Sequence, residues 1–209
     1  MPSDTKDRIL DSAELLFAQD GIASTSLRAL TEHAGVNLAS VNYHFQSKDA
    51  LVQAVLNRRI NPINQRRMEL LNEILQRTAT TRPTVEELLD AFFRPVVDAA
   101  VASRKEGRPV SALIGRIYTE PGELLASQVR AMMAQVAASF LDALHLALPD
   151  VSQATLFWRL HFSVGVLSHT FGAMHLIEGF ARGRVNVHDS EEVLRQMIAY
   201  AAGGLRGEV

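Results

Sequence analysis

The sequence contains no cysteine and no long uninterrupted apolar run. The first absence excludes disulfide bonds and thiolate metal sites, and it is compatible with a reducing compartment. The second disfavours a membrane-spanning helix, which needs about 20 consecutive apolar residues. The N-terminal segment also lacks the apolar stretch of a signal peptide, because it is interrupted by Asp4, Lys6, Asp7, Arg8 and Asp11. These absences predict a soluble, cytoplasmic protein without a membrane partner.

An excess of one charge is missing as well, since the formal net charge is −2. The first 67 residues carry eight Lys and Arg against seven Asp and Glu, so the N-terminal part is not basic. Nucleic acid bound there would need a few placed cations and backbone amides, with the acidic side chains turned away. With 209 residues, 47% of them hydrophobic, the chain can form one large domain or a small domain joined to a larger one.

Sustained strand alternation, hairpin turns and internal repeats are also absent, and apolar residues instead follow helical spacing. Thr5 can cap a first helix that Gly21 ends. Later helices are predicted over about 27–34, 38–45, 48–78, 85–105, 109–119, 122–148, 152–182 and 190–205. Pro62 predicts a kink or break in the helix from Lys48. The predicted fold is therefore all-α.

The segment AGVNLASVNYHFQSKDAL, residues 34–51, has the pattern of two helices joined by a tight turn. Gly35 can adopt a positive φ and end the first helix. Asn37 is a good N-cap for the second, and Val36 and Val41 have the spacing of a hydrophobic staple. This arrangement indicates a helix-turn-helix.

Side-chain direction predicts what the second of these helices contacts. Val41 and Phe45 form its buried stripe, and four polar or aromatic residues face elsewhere: Ser40, Asn42, Tyr43 and His44. Asn and Ser can bind base edges, while Tyr, His and Lys are ordinary phosphate donors. Ser47 would cap the next helix and place Lys48 in its first turn, where free amides and a cation can hold a phosphate. The alternative is a helical hairpin whose polar face is only solvated.

Residues 5–51 resemble the N-terminal DNA-binding region of the TetR family of transcriptional regulators, with ILDSAELLFAQDG, TSLRALTEHAGV and YHFQSKDAL in register. The resemblance implies an all-helical homodimer, usually a repressor, whose larger C-terminal region binds a small molecule that weakens DNA binding. It divides the chain into a three-helix DNA-binding domain, residues 1–51, and an effector-binding and dimerisation domain, residues 52–209, linked by the helix from Lys48. Asn42 stands where much of the family has an aromatic residue. Together with GVN and the later WRLHF, it resembles a subset that includes fatty-acid-responsive regulators.

The family's DNA contacts carry over by position to a double-stranded operator. Its phosphate contacts correspond to Thr25, Arg28, Tyr43, His44 and Lys48. Its groove-facing residues, with the cap residue that precedes them, correspond to Asn37, Leu38, Ala39, Ser40 and Asn42. The resemblance and the side-chain directions agree for Ser40, Tyr43 and Lys48. Asn42 could read a base or point along the groove wall to a phosphate.

Aromatic, aliphatic and methionine residues are concentrated in the C-terminal region. Such stripes usually form a core, but they also suit an adaptable apolar pocket. The candidate lining residues are Phe92, Phe93, Val96, Leu113, Ile117, Met133, Val136, Phe140, Trp158 and Phe162. The candidate polar groups that would orient a ligand are Arg116, Tyr118, His161 and His169. The expected effector is an acyl chain, an aromatic or another hydrophobic compound.

Small residues recur at helical spacing within the segment 152–182, at Gly165, Ser168 and Gly172. Glycine destabilises a helix, so its presence there suggests close backbone approach to another element. That element could belong to the same subunit or to a second copy. In a dimer seam, which the resemblance favours, the last helix would contribute Val193, Met197, Ile198 and Leu205.

Metal binding and catalysis are disfavoured. His161, His169 and His175 lie on one predicted helix, but the first two are about 12 Å apart along its axis, too far to share one ion. The sequence has no HExxH, nucleophile elbow, glycine-rich phosphate loop or DxDxDG loop. We therefore expect a regulator without cofactor or metal that represses from an inverted-repeat operator and is released by a small, mostly apolar effector. The alternative is an effector-independent or architectural DNA-binding protein, with a helical enzyme less favoured.

Overall fold

The computed structural model describes residues 4–107, 110–120 and 122–207. Within these ranges the chain forms α-helices and no strand, which confirms the all-α prediction. The helices are α1 Thr5–Asp20, α2 Leu27–Ala34, α3 Leu38–Phe45, α4 Lys48–Arg77, α5 Val85–Lys105, α6 Val110–Thr119, α7 Glu123–Ala147, α8 Gln153–Gly172, α9 Met174–Ala181 and α10 Ser190–Arg206. Among the residues described, no helix is both long enough and apolar enough to cross a membrane.

Side-chain caps begin three of the first four helices. The side chains of Ser26, Asn37 and Ser47 accept hydrogen bonds from backbone amides in the first turns of α2, α3 and α4. Gly35 ends α2 in the left-handed conformation, with φ 61°. The predicted limits of α2 and α3 are therefore confirmed. In α1 the N-cap is Asp4, without a side-chain cap bond, so the prediction that Thr5 caps this helix is wrong by one residue.

Helix α4 runs for 30 residues and passes through Pro62. Of the kink or break predicted there, the break is wrong. Pro62 is exposed, so the carbonyl four residues earlier, which loses its amide donor, lies on the solvent side of the helix. The DNA-binding helices and the C-terminal region are thus connected by one continuous helix.

Two hydrophobic clusters divide the molecule. The first is built on α1–α3 and on α4 as far as Ile60; the second takes in α4 from Ile63 together with α5, α7, α8 and α10. The first cluster also contains three residues from later helices: Leu113, Ile117 and Leu125. Helix α6 packs against both α1 and α8, so it contacts both parts of the molecule. Within α4, the change from the first cluster to the second occurs between Ile60 and Ile63. The domain boundary after residue 51 stays a prediction.

The single helix predicted over 152–182 is wrong, because the chain forms two helices that meet at Ala173. Near this junction, Gly172 lies against Gly115 of α6. A Cβ added to Gly115 would lie 2.6 Å from the Gly172 Cα, so this crossing requires glycine. The close approach predicted for Gly172 is therefore made within the chain, as the first of the two interpretations held.

Candidate nucleic-acid interface

Helix α3 has one buried and one exposed face. Val41 and Phe45 are buried in the first hydrophobic cluster. Leu38, Asn42 and Tyr43 are exposed, and the Tyr43 side chain is 84% accessible. Ala39 is exposed as well. The directions predicted from helical spacing are confirmed, so the polar and aromatic residues of α3 are available to a groove.

The first turn of α3 fixes two of the predicted DNA-binding side chains. The Asn37 Oδ1 accepts hydrogen bonds from the Ser40 backbone N, at 2.8 Å, and from the Ser40 Oγ, at 2.9 Å. Asn37 thus has a structural role as the cap. The Ser40 hydroxyl keeps its lone pairs as acceptors, while its proton is directed to Asn37.

The exposed or partly exposed residues predicted to contact phosphate come from α2, the second half of α3 and the first turn of α4. The rings of Tyr43 and His44 contact edge to face, with centroids 5.1 Å apart. The Lys48 Nζ donates to the Ala23 carbonyl at 3.0 Å, and Arg28 is exposed. These positions form a rim beside α3 that can follow a DNA backbone.

Thr25 does not belong to this exposed rim. Its side chain is buried, and its hydroxyl donates to the Gly21 carbonyl at 2.7 Å. In this conformation the threonine therefore stabilises the α1–α2 turn. The sequence did not reveal this, because an exposed and a buried threonine before a helix have the same pattern.

Arg8 is a supporting residue that sequence reasoning did not select. Its Nη2 donates to the carbonyls of Ala34, at 2.6 Å, and Gly35, at 2.9 Å. A cation at these carbonyls complements the C-terminal end of α2 and holds the turn that leads into α3. The partners lie 26 and 27 residues away, so no local pattern could have shown the contact.

Arg116 has a different position from the one predicted for it. We expected it to orient an effector, but its Nε donates to the Ala18 carbonyl at 2.8 Å and its Nη2 to the Gln19 carbonyl at 2.6 Å. It therefore contacts the C-terminal end of α1, where a cation is favourable. Glu120, one turn further on, contacts the following turn of the DNA-binding helices.

Half of the fourteen predicted effector residues form the core of the described structure. The buried ones are Phe92, Phe93, Val96, Leu113, Ile117, Val136 and Phe140. The rings of Phe92 and Phe140 contact edge to face, with centroids 5.1 Å apart. Met133 is partly buried between the two clusters. The Tyr118 side chain lies outside what the structure describes.

Other predicted effector residues lie on the outer face of α8, which is a correction to their expected inward direction. Trp158 is 58% exposed and Phe162 is 62% exposed, and their rings stack with centroids 6.0 Å apart. His161 is exposed beside them, and His169 is exposed further along α8. Periodicity alone could not separate an inward from an outward aromatic stripe on this apolar helix.

Two protein-family models match the chain. One, described as "Tetracyclin repressor-like, C-terminal domain", matches residues 90–204, which is more than half of the chain. The other, "Bacterial regulatory proteins, tetR family", matches residues 9–55. The chain belongs to the TetR family. It is thereby assigned to helix-turn-helix DNA-binding transcriptional regulators and not to an enzyme family.

Curated relatives match over part of the chain. The chain is 31% identical over 93 residues to the probable HTH-type transcriptional regulator YttP of Bacillus subtilis, which covers 44% of this chain and 42% of that protein. It is 39% identical over 54 residues to the HTH-type transcriptional regulator TtgR of Pseudomonas putida, 26% of each chain. The matches thus span less than half the length of these TetR-family relatives.

Solved structures match over nearly the whole chain and show a shared fold. The TetR family regulator PfmR from Thermus thermophilus has a TM-score of 0.64 at 18% identity, covering 99% of this chain and 98% of that one. The fatty acid degradation regulator FadR from Bacillus halodurans has a TM-score of 0.62 at 12% identity, covering 100% of both. The whole arrangement of helices is thus that of TetR regulators.

The residues predicted for a TetR dimer seam do not lie on one surface. Met197 and Leu205 are buried in the chain's own core, which corrects their assignment to an exposed seam. Ser168 and Gly172 lie on the side of α8 that faces Gly115 of α6. Gly165 is exposed, whereas Val193 and Ile198 are partly buried against the core. The face of α8 that is open instead carries the Trp158 and Phe162 rings.

Arg67 and Asn64 are buried polar residues of α4 that the sequence analysis did not select. Arg67 is 1% exposed; its Nε donates to the Phe92 carbonyl at 2.8 Å, and its guanidinium lies 4.3 Å from the Phe92 ring centroid. Asn64 donates from Nδ2 to the Met132 carbonyl of α7 at 3.1 Å. Helical spacing places Arg67 in the same stripe as Ile63, a pattern that could have identified it.

The histidines form no described metal site. Over the residues that can be described, no group of three or more His, Cys, Asp or Glu side chains has an arrangement that could hold an ion. The His175 side chain lies outside the description, and the backbone at this position is in α9, not in the same helix as His161. The described residues therefore do not support a metal-binding site.

Proposed function

We propose that the protein binds a double-stranded operator with α3 in the major groove. The observation that supports this most strongly is the exposed face of α3, from Leu38 to Tyr43, on a helix whose other face is fixed in a core. Beside it, the Ser47-capped start of α4 supplies backbone amides and the Lys48 ammonium for a phosphate. Ser40 and Asn42 are the candidates for reading bases, and Tyr43, His44, Arg28 and Lys48 for positioning.

We also propose a homodimer in which the outer face of α8 meets its copy. Trp158 and Phe162 expose stacked rings, and Tyr200 of α10 is exposed beside Phe162 along a shared groove. Adjoining exposed aromatic rings favour burial against a partner surface. To bind an inverted repeat, the two α3 helices of this dimer must reach successive major grooves, roughly 34 to 36 Å apart.

The proposed effector is small and mostly apolar, and it enters the region between α4, α5 and α7. Phe92, Phe140 and Met133 supply apolar surface there, and Arg67 supplies a charged group that could meet a polar end of the ligand. Methionine side chains adapt readily to a new occupant. Release of the operator would make the protein a repressor in the usual sense of its family. The fold shared with the fatty acid degradation regulator FadR is a reason to include acyl compounds among the test ligands.

The operator proposal is tested by selecting bound duplexes from the source genome and footprinting them. We expect protection of an inverted repeat by two chains, with half-sites one helical turn apart or a multiple of it. A monomer that binds a single half-site as tightly would contradict the proposal. Genes beside the recovered fragment would also indicate what is regulated.

The dimer proposal can use the chain's single tryptophan as a probe. Dilution should shift Trp158 emission to longer wavelength and raise its quenching by iodide, in step with dissociation measured by sedimentation. Phe162→Glu should give monomers at micromolar concentration, because it places a charge in the apolar contact. Leu146→Glu, at an exposed leucine of α7, is the matched control and should leave the dimer intact. A dimer unaffected by Phe162→Glu would contradict this face.

The effector proposal is tested by titrating free fatty acids, acyl-CoAs and aromatic acids against a fluorescent operator duplex, with thermal melting in parallel. A ligand should raise the melting temperature of the protein and weaken operator binding by a factor of about 5 to 150. Met133→Trp should block this response, whereas Leu146→Trp, at an exposed leucine of α7, should preserve it because Leu146 is outside both the region and the proposed dimer face. If no compound releases the duplex, the effector-independent alternative is favoured.

A further inference from the structure

Two side chains, one in α6 and one in the residue after it, hold the α1–α2 turn through opposite charges. The Arg116 guanidinium donates to the Ala18 and Gln19 carbonyls, which lack an intrahelical N–H donor at the end of α1. The Glu120 carboxylate accepts from the backbone amides of Ile22, at 2.9 Å, and Ala23, at 2.5 Å. A cation thus meets the carbonyl end of the helix, and an anion meets the amides of the turn.

The contact is close packed at Gly21. A Cβ placed on Gly21 would lie 3.1 Å from the Arg116 Nη1 and 3.3 Å from the Glu120 Oε2, and the φ of this residue is +95°. Both side chains therefore lie directly over the glycine that ends α1. The fit therefore leaves little freedom to the turn.

The same turn contacts a residue of the proposed DNA interface. The Ala23 amide donates to Glu120, and the Ala23 carbonyl accepts from the Lys48 Nζ at 3.0 Å. Lys48 lies in the first turn of α4, where we place an operator phosphate. A chain of two hydrogen bonds through one residue therefore connects the end of α6 to the proposed phosphate-binding lysine.

We infer that Arg116 and Glu120 are positioning residues for operator binding, although they lie far from α3 in the sequence. This inference rests on the DNA-binding function proposed above. The two side chains fix the α1–α2 turn, and through Ala23 they hold the Lys48 ammonium where it can reach a phosphate. Because Gly115 packs on Gly172, α6 is also held against α8, so the packing of the C-terminal region sets the position of this contact.

Whether neutralising Glu120 weakens or tightens operator binding distinguishes a positioning role from a purely electrostatic one. A carboxylate near the operator repels phosphate, so removing its charge should tighten DNA binding if charge alone mattered. Positioning predicts the reverse. Glu120→Gln keeps the size of the side chain and one acceptor oxygen, but it loses the two charge-assisted hydrogen bonds.

The test measures binding to a fluorescent duplex selected with the wild-type protein. Glu120→Gln and Arg116→Lys should each weaken binding about five- to tenfold, the scale of one ordinary hydrogen bond, since each variant keeps part of its contact. Glu123→Gln is the matched control, because Glu123 is exposed and binds only a neighbouring surface residue, Arg130, among its described contacts. It should leave affinity unchanged or slightly tighter.

A double-mutant cycle with Lys48→Ala tests the connection through Ala23. If Glu120 acts through Lys48, Glu120→Gln should weaken binding less than about twofold once Lys48 is alanine. Hydrogen exchange at the Ile22 and Ala23 amides should accelerate in Glu120→Gln, while the melting temperature stays close to that of Glu123→Gln. This exchange measurement shows whether the turn has changed even if the affinity of one variant is altered by misfolding.

Unchanged or tighter operator binding by folded Glu120→Gln would overturn the inference, and so would a fully additive cycle. These results differ from failure of the proposed function. If the DNA interface itself is wrong, Lys48→Ala alone leaves binding unchanged. If Lys48→Ala weakens binding and Glu120→Gln does not, the DNA interface stands and only the positioning role fails.

Discussion

The DNA-binding helices and the C-terminal region differ in how well the neighbouring sequence indicates the structural role of each residue. In the first, Ser26, Asn37 and Ser47 cap the helices that follow them, and Gly35 makes the turn. In the second, long apolar helices carry similar residues on inward and outward faces, so Phe140 is buried while Phe162 is exposed. Local chemistry specifies the first region, whereas only packing distinguishes the roles in the second.

The largest expected effect tests whether the aromatic residues of the C-terminal region are core. Phe140→Ala should destabilise the protein by about 3 to 5 kcal/mol, because it leaves a cavity beside Phe92. Denaturant unfolding measures this. Phe180→Ala, at a side chain 80% exposed, is the control and should change stability little. If Phe140→Ala destabilised the protein as little as Phe180→Ala, the Phe140 side chain would not be part of a packed core.

The next effect tests the exposed face of the DNA-binding region. Lys48→Ala should weaken binding to all duplexes by a similar factor and lower the slope of log affinity against log salt by about one, because one phosphate contact is lost. Tyr43→Phe should also act uniformly across sequences. Asn42→Ala should instead change base preference, with about 1 to 3 kcal/mol of discrimination lost at one position. Unchanged preference in a randomised operator library would assign Asn42 to positioning.

A smaller effect tests the local caps. Asn37→Ala should destabilise the protein by about 1 kcal/mol, since the Ser40 amide loses its acceptor. The Ser40 hydroxyl loses its partner at the same time and can turn toward DNA. Thermal melting measures the first effect, and Asn37→Asp, which keeps the acceptor, should largely restore stability. Failure of Asn37→Asp to do so would show that the cap bond is not the cause.

The smallest effect concerns an ion pair that joins α5 to α10. The hydrogen bond from Arg206 lowers the pKa of the Glu86 carboxyl from its ordinary value. The stabilisation is therefore present above the unfolded-state pKa and is lost as pH falls through the lower native-state pKa. Because both groups are largely solvated, Glu86→Gln should cost only about 0.5 kcal/mol near neutral pH. The difference in unfolding free energy between the wild type and Glu86→Gln should therefore be smaller at pH 3 than at pH 7. A difference that stays the same at both pH values would contradict this origin.

The features that could be predicted from the sequence lie mainly in the DNA-binding helices, and those that could not lie mainly in the C-terminal region. The limits of α2 and α3 were predictable because a cap and a glycine mark their ends within a few residues. The break between α8 and α9 was not, because no proline or cap residue marks Ala173 and the contact beside it comes from Gly115, more than 50 residues earlier. Similarly, Arg116 has the composition of a ligand-orienting group, and only its contact with α1 shows otherwise.

By itself, the sequence determined the all-helical class, the helix-turn-helix, the direction of the α3 side chains and the resemblance to TetR regulators. These depend on helical spacing, caps and turn residues, which act over a few positions. The tertiary structure alone decided that Thr25, Met197 and Leu205 are internal, that Trp158 and Phe162 are external, and that Arg116 and Glu120 hold the α1–α2 turn. The physical reason is that burial and long-range hydrogen bonds depend on which helices come together, and similar apolar helices carry little local information about that choice.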